Sequence, residues 1–334
     1  MENLRILVTG GAGFMGSWVV DELVKRGHVV TAVDNMLGGQ KENINKNCKF
    51  VETDLRNKEK VFELVKDQDL IFHLAAYAAE GQSFFSPIEI NDVNLRPINN
   101  LLVAAVNNNI RRIVFTSSMA VYGNQSPPFN EKMPRSPVDP YGAAKSYCEL
   151  MLEIFSSAFN LPYVIIRPHN VYGPRQNIAD PYRNVLGIWI NRILRGLPPI
   201  IYGDGKQTRA FSYIEDITPA IVNAGFSDKA QNQIINLGSD EVVTIEEACK
   251  TVLSVMGCTF KPIYMDKRPG EVKYAYCTVD KSCNLLDYKT NNQLQKGLAK
   301  MNQWAKNFGA KQLVYKIPLE ITKNVPKVWL EKIL

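Results

Sequence analysis

Short apolar, β-branched runs alternate with helical patterns through the first ~170 residues of this chain. The runs are RILVTG, VVTAVD, KFVETD, LIFHLAA, RIVFTSS and YVIIRP, starting at Arg5, Val29, Lys49, Leu70, Arg112 and Tyr163. Helical periodicity falls between them at 13–26, 58–66, 93–108 and 140–159. A strand that is apolar along its whole length is covered on both faces, and a helix between successive strands makes their pairing parallel. The pattern therefore predicts an α/β fold, a doubly wound parallel sheet of the Rossmann type. After residue 170 the alternation breaks into shorter elements. We expect a cofactor-binding domain over 1–170 and a smaller substrate-binding lobe over 171–334, some of whose segments return to the first domain.

The first turn narrows this further. In VTGGAGFMGSWVV, Gly10, Gly13 and Gly16 leave the first strand and open the first helix. Glycine is costly to order, so a cluster implies that something approaches the backbone closely. A glycine turn at a helix N-terminus offers amides and a positive dipole end to a pyrophosphate. The second strand ends in Asp34, about 20 residues on, where a carboxylate suits the ribose hydroxyls of NAD and repels the extra phosphate of NADP. Asp54, at the end of the third strand, is a candidate for the adenine amine or for the N-cap of the following helix.

Composition excludes several other classes. The chain has 334 residues and a net charge of +6, a mild excess spread along its length, which reads as solvated surface or a fit to an anionic small molecule. No nucleic-acid partner is expected. No apolar run approaches the ~18 residues that cross a bilayer, and no apolar signal segment begins the sequence, so a cytoplasmic protein without membrane contact is expected. Cys48, Cys148, Cys249, Cys258, Cys277 and Cys283 form no C-x-x-C pair, and His28, His73 and His169 stand far apart, so neither a disulfide framework nor a metal site is expected.

The helix over 140–159 carries the chemistry. Tyr141 and Lys145 stand at i and i+4, on one face. Ser117 and Ser118 end the fifth strand, and strand ends in such sheets face the ligand crevice. A free tyrosine titrates near 10, too high for a base at neutral pH. A lysine ammonium and a positive nicotinamide ring beside it would favour the phenolate. Ser118 would then hydrogen-bond a hydroxyl undergoing oxidation.

Seven segments in order, TGGAGFMG, HLAA, SSMAVYG, YGAAK, RPHNVYGPRQ, YGDGKQTRAFSYIED and RPGE, make the chain resemble the NAD-dependent epimerase/dehydratase family of extended short-chain dehydrogenases, which act on nucleotide sugars. The resemblance implies Ser118, Tyr141 and Lys145 as the catalytic set, with Tyr141 the acid/base and Lys145 also holding the nicotinamide ribose. It implies a cofactor groove lined by Phe14, Met15, Asn35, Leu55, Leu74, Ala75, Ala76 and Ser117 besides the glycines, Asp34 and Asp54. It implies nucleotide-sugar contacts from Glu80, Ser83, Asn94, Ser118, Asn170, Arg209, Arg268 and Glu271. Arg209 and Arg268 would clamp the diphosphate, and Glu271 would bind the nucleotide's ribose. Asp216 is expected to cap a helix. The family also implies a homodimer through the helices over 93–108 and 140–159.

Departures separate the branches of the family. Sugar 4,6-dehydratases carry an Asp-Glu pair just before VYG, and nucleotide-sugar decarboxylases carry a Glu there. This chain has Met119 and Ala120, which move no protons. A UDP-hexose 4-epimerase is the leading expectation. A 4-oxidase or ketoreductase using the same triad, and an NAD-sensing regulatory protein without turnover, remain as alternatives, with a 4,6-dehydratase behind them. The segment AAYAAEGQSFFSP, which holds Glu80 and Ser83, is atypical, as is NIADPYRNVLG with Asp180 and Arg183.

Overall fold

The computed structural model describes residues 3–268 and 270–332; Pro269 of the RPGE motif lies outside them. The six apolar runs form β1 (Arg5–Thr9), β2 (Val29–Asp34), β3 (Lys49–Glu52), β4 (Leu70–His73), β5 (Arg112–Thr116) and β6 (Tyr163–Pro168). With the strand Gln233–Leu237 they make one sheet, ordered Gln233–Leu237, β6, β5, β4, β1, β2, β3. Every pairing in it is parallel. The expected doubly wound sheet is thus present. β1 lies between β2 and β4, with Val8 opposite both Ala32 and Phe72. The strand order reverses between β1 and β4, and a ligand crevice opens at such a switch point.

Alternation of side chains along each strand divides the core between the two faces. Ile6, Val8, Phe72, Val114 and Ile166 pack with Val19, Val20 and Leu23 of α1 (Phe14–Lys25) and with Ile217 and Ile221 of the helix Ile214–Ala224. On the other face Leu7, Ile71, Ile113, Phe115 and Ile165 pack against α2 (Lys58–Val65), α4 (Pro87–Asn107) and α5 (Pro140–Phe159). Two elements beyond residue 170, Ile214–Ala224 and Gln233–Leu237, are therefore built into the sheet layer.

Two local expectations are corrected. α2 is capped by Asn57, whose side chain accepts from the Lys60 N–H at 3.0 Å. Asp54 is not its N-cap, because its carboxylate is taken by the Arg56 side chain and the Asn35 amide. α4 begins six residues before the predicted position 93, at Pro87. A proline at the first helical position loses no hydrogen bond, and the Glu320 carboxylate accepts the Ile88 and Glu89 N–H groups, each at 2.9 Å. That cap comes from more than 230 residues away.

Glu320 belongs to a C-terminal strap. Val314 N–H donates to the Ala179 carbonyl, Gln82 Nε2 donates to the Ile317 carbonyl at 2.9 Å, and Ser86 Oγ donates to the Pro318 carbonyl at 2.8 Å. Ile317, Val325, Val328 and Trp329 then close an apolar cluster with Tyr77, Phe85, Ile90 and Tyr182 beside the crevice. A separate three-stranded sheet has Thr208–Ala210 at its centre, between Val242–Thr244 and Tyr274–Ala275. It carries Arg209 to the crevice.

Candidate active site

One continuous cleft of about 420 Å³ runs from the β1 turn to the three-stranded sheet. The glycine turn forms its floor at one end. Gly10 has φ +71°, and a Cβ there would lie 2.8 Å from the Ala75 nitrogen; a Cβ on Gly16 would run into the Gly10 carbonyl oxygen. The turn is therefore a cradle that only glycine permits, opening onto the N-terminus of α1. Asp34 is buried beside it and accepts the Ala12 N–H at 3.2 Å and the Met36 N–H at 2.9 Å. Burial raises its carboxyl above the usual range, and the Met36, Ala12 and Gly13 amides pull the other way. Burial also acts to raise Asp54, but hydrogen bonds from Arg56 and Asn35 bring it down to about 2.

Phe14, Met15, Asn35, Leu55, Leu74, Ala75, Ala76 and Ser117 all border this half of the cleft. The Ser117 hydroxyl is buried with no hydrogen-bond partner among the described residues. A glycine cradle, a carboxylate at the end of β2 and an unpartnered hydroxyl at the end of β5 fit a dinucleotide.

At mid-cleft, Ser118 follows β5 and Tyr141 and Lys145 occupy the first two turns of α5. Asp139 caps that helix, its side chain accepting the Gly142 N–H at 2.8 Å. A buried pair joins the helix to the sheet: Glu149 on α5 accepts from Arg167 on β6 at 2.6 and 2.9 Å. Lys145 is buried, donates to the Thr116 carbonyl at 2.8 Å, and lies 4.7 Å from the Phe115 ring centroid and 5.8 Å from that of Tyr141. Burial lowers its ammonium to about 8, with Cys148 and Glu149 opposing. Tyr141 is buried within hydrogen-bond reach of Ser118. Its phenol is raised, first by burial and then by Glu80, with Arg183 and Ser118 opposing. Lys145 is not among the groups that shift this phenol; the expected lowering joins its ammonium to the positive charge of a nicotinamide ring.

The remaining predicted residues divide into two groups. Glu80, Asn170, Arg209, Arg268 and Glu271 border the far half of the cleft. Asn170 donates to the Ala210 carbonyl at 3.2 Å. Arg209 donates to the Val272 carbonyl at 2.7 Å, and Arg268 to Glu271 at 3.1 Å while lying over the Tyr202 ring. Glu271 also accepts from Gln207. Ser83 and Asn94 do not border the cleft. Ser83 Oγ accepts the Tyr141 N–H at 3.2 Å and donates to the Glu80 carbonyl. Asn94 uses its amide on the Tyr77 backbone and the Ile90 carbonyl. Both are fully engaged in holding the wall, one layer behind it. Asp216 does not cap a helix as expected: the N-cap of Ile214–Ala224 is Tyr213, and Asp216, inside the first turn, accepts from the Asn291 and Asn292 N–H groups and anchors a loop.

Sequence reasoning missed Tyr182, Tyr202 and Trp329, which give the far half of the cleft an aromatic wall. Trp329 meets Phe85 and Tyr182 edge-on, at 5.9 and 5.0 Å between ring centroids. Its only sequence signal is a run of three apolar residues, Val328, Trp329 and Leu330, in a lysine-rich segment.

Among the described residues no group of His, Cys, Asp and Glu could hold a metal ion, and no helix is long and apolar enough to cross a membrane. A Rossmann sheet with a glycine cradle and a Ser-Tyr-Lys cluster at its switch point defines an NAD-dependent oxidoreductase-type enzyme. The chain belongs to the NAD-dependent epimerase/dehydratase family, whose model matches residues 6–238. Its cofactor is NAD.

Three relatives place it within that family. A UDP-N-acetyl-alpha-D-glucosaminuronate decarboxylase of Bacillus cytotoxicus is 33% identical over 321 residues, spanning 90% of this chain and 97% of the relative. The UDP-glucose 4-epimerase of Thermotoga maritima, solved with UDP-glucose, is 31% identical with a TM-score of 0.86, over 91% of this chain and 99% of that one. The UDP-glucose 4-epimerase of Thermus thermophilus, solved with NAD, is 32% identical with a TM-score of 0.83, over 90% and 98%.

Proposed function

We propose that the protein is an NAD-dependent 4-epimerase of nucleotide sugars, with UDP-hexoses as substrates. The observation that carries this is the composition of the mid-cleft. Ser118, Tyr141 and Lys145 meet there, while Met119 and Ala120 border the same space without a group that exchanges protons. That set supports oxidation and reduction at one carbon and leaves out the usual route to elimination or decarboxylation.

In this reading the glycine cradle and Asp34 hold the dinucleotide, with Asp54 and Asn35 at its adenine end. Arg209 and Arg268 hold the sugar diphosphate, a bidentate role suited to guanidinium. Bound NAD supplies a hydride acceptor and the positive charge that the protein groups lack. Tyr141 takes the proton of the C4 hydroxyl and later returns it. Ser118 orients that hydroxyl, and Lys145 fixes the nicotinamide ribose from its anchor on the Thr116 carbonyl. The 4-keto sugar turns in the wide aromatic half of the cleft and is reduced on its other face.

The division into a cofactor domain over 1–170 and a mainly substrate-binding lobe over 171–334 belongs to this proposal. So does a homodimer. Val103 on α4 and Tyr147, Leu150 and Ile154 on α5 are large hydrophobic residues exposed on helices that pack side by side, and a two-fold four-helix contact would bury them. A cytoplasmic location suits six free cysteines. The test is incubation with UDP-glucose and product analysis by NMR. The C4 epimer should form without accumulation of NADH; net NADH without epimer would favour a 4-oxidase.

A further inference from the structure

Glu80 begins α3 (Glu80–Ser83), the single turn between β4 and α4. The turn is fixed on two sides. Ser83 ties it to the first turn of α5 through the Tyr141 N–H. On the other side the Phe84 ring lies where a Cβ on Gly270 would collide with it, so the loop carrying Arg268 and Glu271 packs on the same turn. Ala79, Gln82 and Ser83 are fully buried. Glu80 is exposed, and its exposure is to the cleft, whose wall it forms.

Its carboxylate makes no hydrogen bond or ion pair among the described residues. The charged and titratable groups that face it are Asp139 and Tyr141 from α5, Arg209 from the strand Thr208–Ala210, and Arg268 from its loop. Glu80 therefore borders the same cleft as the Tyr141 phenol and the arginine pair. If the phenol meets C4 and the arginines meet the diphosphate, the hexose occupies the cleft that Glu80 borders. Crowding by protein and the neighbouring Asp139 push its carboxyl up to about 7, with Arg209 and Arg268 opposing.

We propose that Glu80 determines specificity in the hexose pocket, accepting hydrogen bonds from hydroxyl or amino groups of the sugar and rejecting hexuronates, whose carboxylate would face it. The inference rests on the epimerase reading, since that reading puts the hexose beside Glu80. A second carboxylate brought against an unpaired one is disfavoured.

The test uses the NAD-loaded protein with UDP-glucose and UDP-glucuronate, measuring the dissociation constant and the kcat/KM for C4 epimerisation of each, for wild type and Glu80→Gln. Wild type should favour UDP-glucose by about tenfold or more. Glu80→Gln should narrow that ratio by a similar factor, through KM for the uronate. Discrimination by wild type should also weaken as pH falls through about 7 and the carboxyl takes up its proton, and the Gln variant should lack that dependence. An unchanged ratio of dissociation constants in a folded Gln variant overturns the proposal, whatever the turnover. If the ratio shifts but neither sugar is epimerised, the assignment of Glu80 stands and the epimerase reading fails. Failure of wild type to bind UDP-glucose overturns both.

Discussion

Tyr141→Phe separates chemistry from architecture. The ring is buried at 4% exposure, and phenylalanine keeps its volume against Lys145 and α3. What leaves is one hydroxyl, within hydrogen-bond reach of Ser118. A hydrogen bond of this kind contributes roughly 1 kcal/mol net, so the melting temperature should move by no more than about 2–4 °C in a chain of this size. NAD should remain bound, because Asp34, the glycine turn and Lys145 are untouched. Turnover should behave differently. Positioned acid–base groups contribute about 10²–10⁴-fold, or roughly 3–5 kcal/mol of transition-state stabilisation. The assay pairs kcat on UDP-glucose with a melting curve and a measurement of bound NAD. A large fall in kcat with a small change in melting temperature is the expected result. A Phe variant that is folded, NAD-loaded and turns over near the wild-type rate would refute Tyr141 as the proton carrier.

Asp34→Ser should narrow the preference for NAD over NADP by about tenfold or more, since the carboxylate that repels a 2′-phosphate is gone; titration of both cofactors measures it, and an unaltered ratio removes Asp34 from the ribose site. Lys145→Met should damage both kcat and NAD retention, and its effect on stability should depend on pH. Burial lowers the ammonium from 10.5 to about 8, so the unfolded chain holds that proton longer and wild-type stability rises with pH across this window. With both proteins stripped of NAD, the stability of wild type relative to the methionine protein should rise by roughly 3 kcal/mol as pH climbs from about 8 to 10.5 in denaturant titrations. A pH-independent difference would contradict a buried ammonium. Leu150→Lys with Ile154→Lys, on the exposed apolar surface of α5, should give a monomer by light scattering where wild type gives a dimer; a monomeric wild type at micromolar concentration would refute the two-fold contact.

The parts of this molecule visible in its sequence are those specified locally. β1, β2, β4 and β5 announce themselves because burial on both faces demands unbroken apolar runs, and the glycine turn because three close approaches demand three glycines. Gln233–Leu237 escaped notice, since an edge strand reached through an irregular region needs no long apolar run and here begins with glutamine. The start of α4 was hidden because its N-terminal cap, Glu320, lies at the other end of the chain. Ser83 and Asn94 carry side chains that bind ligands as readily as backbone, and only the fold shows that their hydrogen-bonding capacity is already used. The wall formed by Trp329, Tyr182 and Tyr202 joins Trp329 to residues more than a hundred positions before it, so no short window of sequence contains it.

The central claim is that hydride leaves C4 of the sugar and returns to the same carbon within one turnover. UDP-glucose deuterated at C4, incubated with the NAD-loaded enzyme and followed by NMR and mass spectrometry, tests it directly. The expected product is a C4 epimer that keeps its deuterium at C4, with none transferred to free cofactor or to water. Loss of the label to solvent, or its accumulation in released NADH, would contradict it.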